Sequence, residues 1–219
     1  MLHNSNLQGI HIPGSVNNLI TKLFADDTTV YLSETDSFNT LQIILNKWCL
    51  ASRAKFNISK TECVPIGTKE FRETFYKSRQ LNSFDSKIPQ NIHIVQDGEA
   101  VRSLGCWIGN HIKDATPWTS IIEKIDNSLV QWNKSHPTLE GHSYIIQLVI
   151  GNGTQFLTKV QGMPNHIEAI LIKKIQNFMW NSTGSPPVSL ETLYKPKDQG
   201  GKQLLDLHSR NKAITLMTL

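Results

Sequence analysis

The segment Leu23-Phe24-Ala25-Asp26-Asp27-Thr28-Thr29-Val30-Tyr31-Leu32 decides the fold of the first half of the chain. Two runs of β-forming residues, 19–24 and 28–32, flank Ala25-Asp26-Asp27, which predicts a β-hairpin with two neighbouring aspartates at its tip. Hairpin turns favour Asn-Gly or Asp-Gly, and adjacent carboxylates repel each other, so this tip is chemically unusual. A bound divalent cation would relieve the repulsion. The alternative is a solvated turn that happens to contain two aspartates.

The rest of the first half combines strands, turns and a few helices. Apolar residues at helical spacing predict an amphipathic helix over residues 37–52, with Ser37 as its N-cap. The other expected elements are a short strand over residues 8–14, an extended segment over 56–66, an exposed polar connection with one helix over 68–90, and two strands, 91–96 and 100–108, joined by a hairpin turn at Asp97-Gly98.

The second half shows helical periodicity. The expected helices cover residues 118–132, 143–149 with a continuation after Gly151-Asn152-Gly153, 164–180 and 204–219. The sequence therefore predicts an α+β fold in which antiparallel hairpins with helices precede a mainly helical part. We place the two domains at residues 1–110 and 111–219.

Composition narrows the class of protein only slightly. The formal net charge is +4, which favours polyanionic partners such as nucleic acid, although many basic proteins have none. Cys49, Cys63 and Cys106 show neither disulfide-framework nor zinc-ligand spacing, which is typical of an intracellular protein of the cytoplasm or nucleus. The longest apolar run is too short to span a bilayer, so we expect no membrane role.

Three segments of the first half resemble reverse transcriptases. The hairpin segment resembles motif C of that family, in the Phe-Ala-Asp-Asp form of non-LTR retrotransposons. Phe56-Asn57-Ile58-Ser59-Lys60-Thr61-Glu62 is similar to motif D, and Arg102-Ser103-Leu104-Gly105-Cys106-Trp107-Ile108-Gly109 resembles motif E, the primer grip. The three segments occur in the family's order. Looser resemblances in the helical half, such as Gly141-His142-Ser143-Tyr144-Ile145-Ile146, are to the thumb and connection.

This resemblance implies part of a reverse-transcriptase palm followed by a helical thumb and connection, from the RNA-directed DNA polymerase of a transposable element. It implies that Asp26 and Asp27 are catalytic ligands of Mg²⁺ and that Lys60 donates a proton to pyrophosphate. It also implies that Leu104 and Gly105 lie in a hairpin that supports the primer terminus. The implied partners are an RNA template and a DNA primer, and the implied cofactor is Mg²⁺.

Other parts that such a palm needs are not recognisable in the chain. The family takes a further metal-binding aspartate from motif A, upstream of motif C, whereas residues 1–25 contain no Asp or Glu. Motif B and the fingers, which shape the nucleotide pocket and bind the triphosphate, are missing as well. Because Mg²⁺ needs near-octahedral oxygen coordination, two aspartates on one turn give it a poor site. We therefore expect no polymerase activity from this chain alone.

Other interpretations stay open. The chain could be a non-catalytic module that binds template–primer through phosphate contacts from scattered lysines: Lys113, Lys159, Lys173 and Lys174. A solvated helix face explains these lysines equally well. The chain could instead be part of a longer, active reverse transcriptase. A helical interaction protein is the least favoured interpretation, because it leaves the hairpin and its two companion motifs unexplained.

Overall fold

A computed structural model describes residues 1–113, 116–181 and 184–217 of the chain. The protein is α+β, as predicted. It divides into two compact units, Met1–Val101 and Arg102–Leu219, which we call the first and second unit. Short strands and helices make up the first unit, whereas the second is mainly helical.

The strands are short and pair two by two. They are β1 Thr21–Phe24, β2 Asp27–Val30, β3 Glu62–Cys63, β4 His93–Ile94, β5 Val101–Ser103 and β6 Cys106–Ile108. β1 pairs with β2 in antiparallel orientation, β3 pairs with β4 in parallel orientation, and β5 pairs with β6. Among the described residues, none of these sheets has a third strand.

The first two of the following helices belong to the first unit, and the others belong to the second. They are α1 Phe38–Ser52, α2 Lys69–Ser78, α3 Thr116–Asn133, α4 Leu139–Ile146, α5 Gly153–Gln161, α6 Asn165–Trp180, α7 Leu190–Tyr194 and α8 Leu207–Met217. A π-helical turn, Gln147–Asn152, joins α4 to α5, and 3₁₀ turns cover Leu2–Asn4, Ile58–Lys60 and Lys197–Gln199. No helix within the described ranges is long and apolar enough to cross a membrane.

Helix α1 begins where the sequence predicts. The Ser37 hydroxyl accepts a hydrogen bond from the Thr40 N–H at 3.3 Å, which makes Ser37 the expected N-cap. The Asp85 carboxylate adds a second cap, because it accepts from the Phe38 N–H at 2.6 Å and from the Ser37 hydroxyl at 2.9 Å. Burial acts to raise the pKa of Asp85, but these and neighbouring hydrogen bonds outweigh it and lower the pKa.

The segment over residues 68–90, which we expected to be an exposed connection, is instead part of the first unit's core. The single helix expected there is α2, and its Phe75 is only 3% exposed. Phe75 packs in a cluster with Ile88, Ile92 and Ile94. The prediction of exposure was wrong because charged residues alternate with the apolar ones, so the average polarity hid a narrow apolar face.

The prediction of a hairpin at Asp97-Gly98 was also wrong. Gly98 does occupy a turn with φ of 85°, but β4 pairs with β3 and not with the next strand along the chain. The Asp97 carboxylate binds the buried Arg72 guanidinium of α2 through two hydrogen bonds of 2.8 Å, to Nε and Nη2. A bidentate ion pair with a residue 25 positions away leaves no local signal, whereas Asp-Gly is a strong local signal for a turn.

Two other predicted strands are shorter than expected. Over residues 8–14 the only pairing is an isolated bridge between Ile10 and Leu19. Over residues 56–66 the chain forms the Ile58–Lys60 turn and the two-residue strand β3. Both segments are extended in part, but they lack a partner strand that would lengthen the pairing.

The second unit is built around one helical core. Its largest fully buried side chains are Trp118, Ile146, Ile150, Leu171, Ile175, Met179 and Leu207. The predicted periodicity is confirmed for α3 and α6. The last predicted helix is present as α8, and its residues 218 and 219 lie outside the described residues.

The helix that we expected to break at Gly151-Asn152-Gly153 does not break. α4 begins at Leu139, earlier than predicted, and continues through the π-helical turn into α5. Arg210 of α8 donates to the Gly151 carbonyl at 2.8 Å and to the Thr154 hydroxyl at 2.9 Å. Glycine has a low helix propensity, so Gly151 and Gly153 alone would favour a break in the helix here. The hydrogen bonds from Arg210, which lies on a helix far along the chain, stabilise the π-helical turn instead.

Asp36, nine residues after Asp27 and outside the motif, has a structural role. Its carboxylate is 3% exposed and accepts from the backbone N–H groups of Gln8 at 2.6 Å, Gly9 at 2.9 Å and Ser33 at 2.8 Å. These bonds tie the N-terminal segment to the loop before α1. Gly9 has φ of 65°, and a Cβ there would lie 2.3 Å from the Leu19 carbonyl oxygen, so only glycine fits.

We expect Asp36→Ala to lower the free energy of unfolding by about 2 to 4 kcal/mol, because it leaves buried backbone donors without an acceptor. Urea denaturation followed by circular dichroism measures this change. Asp26→Ala is the matched control, since Asp26 is exposed on the hairpin of the same unit and should leave the unfolding midpoint unchanged. Equal midpoints for the wild type and Asp36→Ala would contradict the structural role.

The surroundings of two histidines, His93 and His142, shift their pKa in opposite directions. In the first unit, His93 Nδ1 lies 2.5 Å from a Glu62 oxygen and its Nε2 lies 3.3 Å from a Glu99 oxygen. The hydrogen bond with Glu62, followed by the two negative charges, raises the pKa of His93 despite partial desolvation and Arg79. In the second unit, burial lowers the pKa of His142, and a hydrogen bond to the Met179 backbone only partly opposes this.

The two units should therefore respond oppositely to pH. The contribution of His93 to stability is fully present below its unfolded pKa of about 6.5 and is lost as the pH rises through its higher folded pKa. The protein loses stability from His142 as the pH falls below about 6.5, because only the unfolded chain takes up that proton. NMR titration of the ring protons should place the His93 midpoint above that of His142. His93→Gln and His142→Leu each assign one resonance, and coincident midpoints would contradict the two environments.

Candidate functional site

The predicted hairpin at the aspartate pair is confirmed. Phe24 pairs with Asp27 and Leu23 with Thr28, so Ala25 and Asp26 form a two-residue turn between β1 and β2. Ala25 has φ of 52° while Asp26 does not have positive φ, which is the φ pattern of a type II′ turn. Glycine is the usual residue at the first position of that turn, so alanine holds a strained conformation there.

The hairpin presents its acidic residues to solvent. Asp26 lies in the turn and Asp27 starts β2, and both are exposed. Leu23 and Phe24 beside them are 69% and 66% exposed. Neither carboxylate has a hydrogen bond or an ion pair within the described part of the chain. Across residues 1–113, 116–181 and 184–217 no three His, Cys, Asp or Glu side chains are grouped to hold a metal ion, so Asp26 and Asp27 gain no third ligand.

Lys60 belongs to the first unit, like the two aspartates, but forms no ion pair with either of them. It is the exposed last residue of the Ile58–Lys60 turn, which is closed by the Lys60 N–H donating to the Asn57 carbonyl at 3.1 Å. The Thr61 hydroxyl donates to the same carbonyl at 3.0 Å. The backbone at this position is therefore fixed, while the lysine side chain extends into solvent.

The segment that resembles motif E forms the second hairpin, β5–β6. Leu104 and Gly105 are its turn residues, with φ of 49° and 85°, the φ pattern of a type I′ turn. Leu104 is 44% exposed at the tip. Gly105 faces α5, because a Cβ on it would lie 2.9 Å from the Phe156 ring. The glycine therefore permits close approach of a helix as well as positive φ.

A concave surface of about 380 Å³ lies beside this hairpin in the second unit. Arg102 and Lys124 line it, and neither has an ion-pair partner among the described residues. The remaining described lining is Gly105, Ile121, Ile125, Ser128, Leu148, Val149, Gly153, Phe156 and Leu157, none of which is acidic. Sequence reasoning missed this pair of cations, because 22 positions separate them and no periodicity relates a strand residue to a helix residue.

The lysines that we considered as phosphate contacts differ in their surroundings. Lys113 and Lys173 are exposed. Lys174 is not comparable, because its ammonium group lies 2.5 Å from the Asp126 carboxylate of α3 and its side chain is only 25% exposed. The positive charge of Lys174 is thus balanced within the protein, and its field on an approaching anion is weakened.

Comparison with known proteins does not assign the chain to a family. No protein-family model matches the sequence, and no curated protein matches it.

Proposed function

We propose that the chain is the C-terminal part of a non-LTR retrotransposon reverse transcriptase, from motif C onward. The observation that carries this proposal is the β1–β2 hairpin with Phe24-Ala25-Asp26-Asp27 at its tip. The turn is strained at Ala25, and its two exposed carboxylates have no hydrogen-bond or ion-pair partner among the described residues. Conformational strain of this kind is concentrated at functional sites, and two-metal phosphoryl transfer needs carboxylates presented in this way.

The arrangement farther along the chain supports the same proposal. A hairpin, β5–β6, occupies the segment that resembles motif E, where the family has a hairpin against the primer terminus. Helices α3 to α8 follow this hairpin in the second unit, as the thumb and connection follow motif E in the family. In the parent enzyme, an RNA template and a DNA primer are the nucleic-acid partners and Mg²⁺ is the cofactor, and the enzyme works in the cytoplasm or nucleus.

This chain by itself does not polymerise DNA. Asp26 and Asp27 would hold Mg²⁺, but no third carboxylate is grouped with them among the described residues to keep the ion in line with the reacting phosphate. Loss of a catalytic metal contact costs several kcal/mol of transition-state stabilisation, which is on the order of a thousandfold or more in rate. In a longer product that supplies a motif A aspartate, Asp26 and Asp27 are metal ligands and Lys60 is the general acid.

A second candidate function is binding of template–primer without chemistry. The observation that favours it is the concave surface with Arg102 and Lys124, which lies beside the tip of β5–β6 and has no acidic lining. Arg102 and Lys124, which have no ion-pair partner in the described part of the chain, suit a phosphate backbone that passes over Leu104 and Gly105. Such binding depends on counterion release and so weakens steeply with salt.

Primer extension tests the polymerase proposal. With an RNA template, a DNA primer, dNTPs and Mg²⁺, we expect no extension by the 219-residue chain and extension by a longer product that carries an upstream aspartate. In the longer product Asp26→Ala should reduce the rate about a thousandfold or more, because a metal ligand is lost. Glu34→Ala, an exposed acidic residue after the same hairpin, is the control and should keep full activity. Extension by the 219-residue chain, or an active Asp26→Ala longer product, would contradict the proposal.

Salt-dependent binding tests the second candidate. We expect Lys124→Gln to weaken binding of an RNA–DNA template–primer and to reduce the slope of log Kd against log salt by about one. Lys174→Gln is the matched control, because it removes the same charge from a lysine that Asp126 already neutralises, so its slope should change less. Fluorescence anisotropy at several salt concentrations gives both slopes. Equal changes for the two variants would show that Lys124 makes no specific phosphate contact.

A further inference from the structure

The outer edge of strand β6 is occupied by a side chain of α5. Gln161 accepts a hydrogen bond from the Trp107 N–H through Oε1 at 3.0 Å and donates from Nε2 to the Trp107 carbonyl at 2.9 Å. One carboxamide therefore engages both backbone groups of a single strand residue. A neighbouring strand would do the same, so Gln161 takes the place of a third strand at this point of the hairpin.

Helix α5 holds the hairpin at a second point. The Phe156 ring lies against Gly105 so closely that a Cβ would come within 2.9 Å of it. Phe156 and Gln161 belong to the same helix, so one rigid element contacts both the turn of the hairpin and its free edge. α5 is in turn anchored in the helical core by Leu157, which is 3% exposed, and by the buried Thr158. The position of the Leu104-Gly105 turn is thus set by α5.

The two contacts differ in what they fix. Phe156 limits how closely the turn approaches α5, because van der Waals contact is steep at short range but permits sliding. The paired hydrogen bonds of Gln161 fix the hairpin along the direction of β6, since both need a particular alignment of donor and acceptor. Gln161 is the last residue of α5 before Gly162 ends the helix with φ of 74°, so its backbone position is well determined.

We propose that Gln161 is a positioning residue for nucleic acid: through Trp107 it holds the Leu104-Gly105 turn where the recessed 3′ end of a primer lies on its template. This inference rests on the proposed function, in which the hairpin contacts the primer terminus, and adds Gln161 as the residue that holds the hairpin in place. Gln161 itself touches no nucleic acid. Its loss lets the hairpin shift along α5, which weakens recognition of the primer end and leaves the helical core intact.

The test compares Gln161→Met, which keeps the side-chain length and removes both hydrogen bonds, with Gln155→Met. Gln155 is also an exposed glutamine of α5, and it has no hydrogen-bond partner through its side chain among the described residues. Two properties of the full chain are measured for each variant. Amide hydrogen exchange at Trp107, read by ¹H–¹⁵N NMR, reports the contact itself. Anisotropy gives the Kd for an RNA template with a recessed DNA primer and for a blunt RNA–DNA duplex of the same length.

We expect Gln161→Met to speed exchange at Trp107 and to raise the Kd for the recessed primer about two- to tenfold, the range of one net hydrogen bond. The Kd of Gln161→Met for the blunt duplex should match that of the wild type. Both Kd values of Gln155→Met, for the recessed primer and for the blunt duplex, should also match those of the wild type. A loss of folding would raise both Kd values together, so the ratio of the two separates positioning from stability. Gln161→Glu is the second variant, because it keeps the acceptor for the Trp107 N–H but has no donor, and its effect should be intermediate.

Each failure has its own signature. Unchanged exchange at Trp107 in Gln161→Met overturns the inference, because the contact then does not hold the strand. Faster exchange with an unchanged preference for the recessed primer also overturns it, while the proposed function stands. If the wild type shows no preference for the recessed primer, the proposed reading of the primer end fails together with the inference, and this is seen without any variant.

Discussion

The structure of the second unit depends on the hydrogen bonds that the guanidinium group of Arg210 donates. This partly buried group of α8 donates to the Gly151 carbonyl and the Thr154 hydroxyl, where the π-helical turn passes into α5. Burial lowers the pKa of Arg210, with the Glu168 charge opposing, yet an arginine stays protonated in such surroundings. A π-helical turn adds a residue to a helix and rotates the downstream residues about the axis. The direction in which Phe156 and Gln161 point is therefore set by a turn that Arg210 stabilises.

The β1–β2 hairpin in the first unit illustrates the opposite situation, in which local rules are broken without visible compensation. Ala25 occupies a position that favours glycine, and Asp26 and Asp27 have no partner among the described residues. Asp36, a few residues later, shows what an aspartate does when it stabilises a fold, because three backbone donors converge on it. Residues that conflict with the local structural preferences are expected at functional sites, because such residues are kept for function and not for stability. This contrast between Asp36 and the aspartates of the hairpin tip is the physical argument behind the proposed role of Asp26 and Asp27.

Much of the fold is encoded in patterns that act over a few residues. The hairpin around Asp26, the cap at Ser37 and the stripes of α3 and α6 all come from period and turn chemistry, and all are present. Contacts between residues far apart in the sequence leave no such local pattern. The Arg72–Asp97 ion pair and the Gln161–Trp107 contact join residues 25 and 54 positions apart, and such pairs are chosen by the tertiary fold alone. Local propensity had favoured a hairpin at Asp97-Gly98, but β4 pairs with the distant β3 instead, and Asp97 binds Arg72.

The same distinction applies to charge. A formal net charge of +4 says little about where an anion would bind, because it sums groups that act separately. Lys174 counts toward that sum but lies against Asp126, so an approaching phosphate meets a nearly neutral pair. Arg102 and Lys124 count equally, yet they share one concave surface without an acidic residue, and their fields add there. Spacing in the sequence identifies neither Arg102 nor Lys124 as residues that lie on one surface without an ion-pair partner among the described residues.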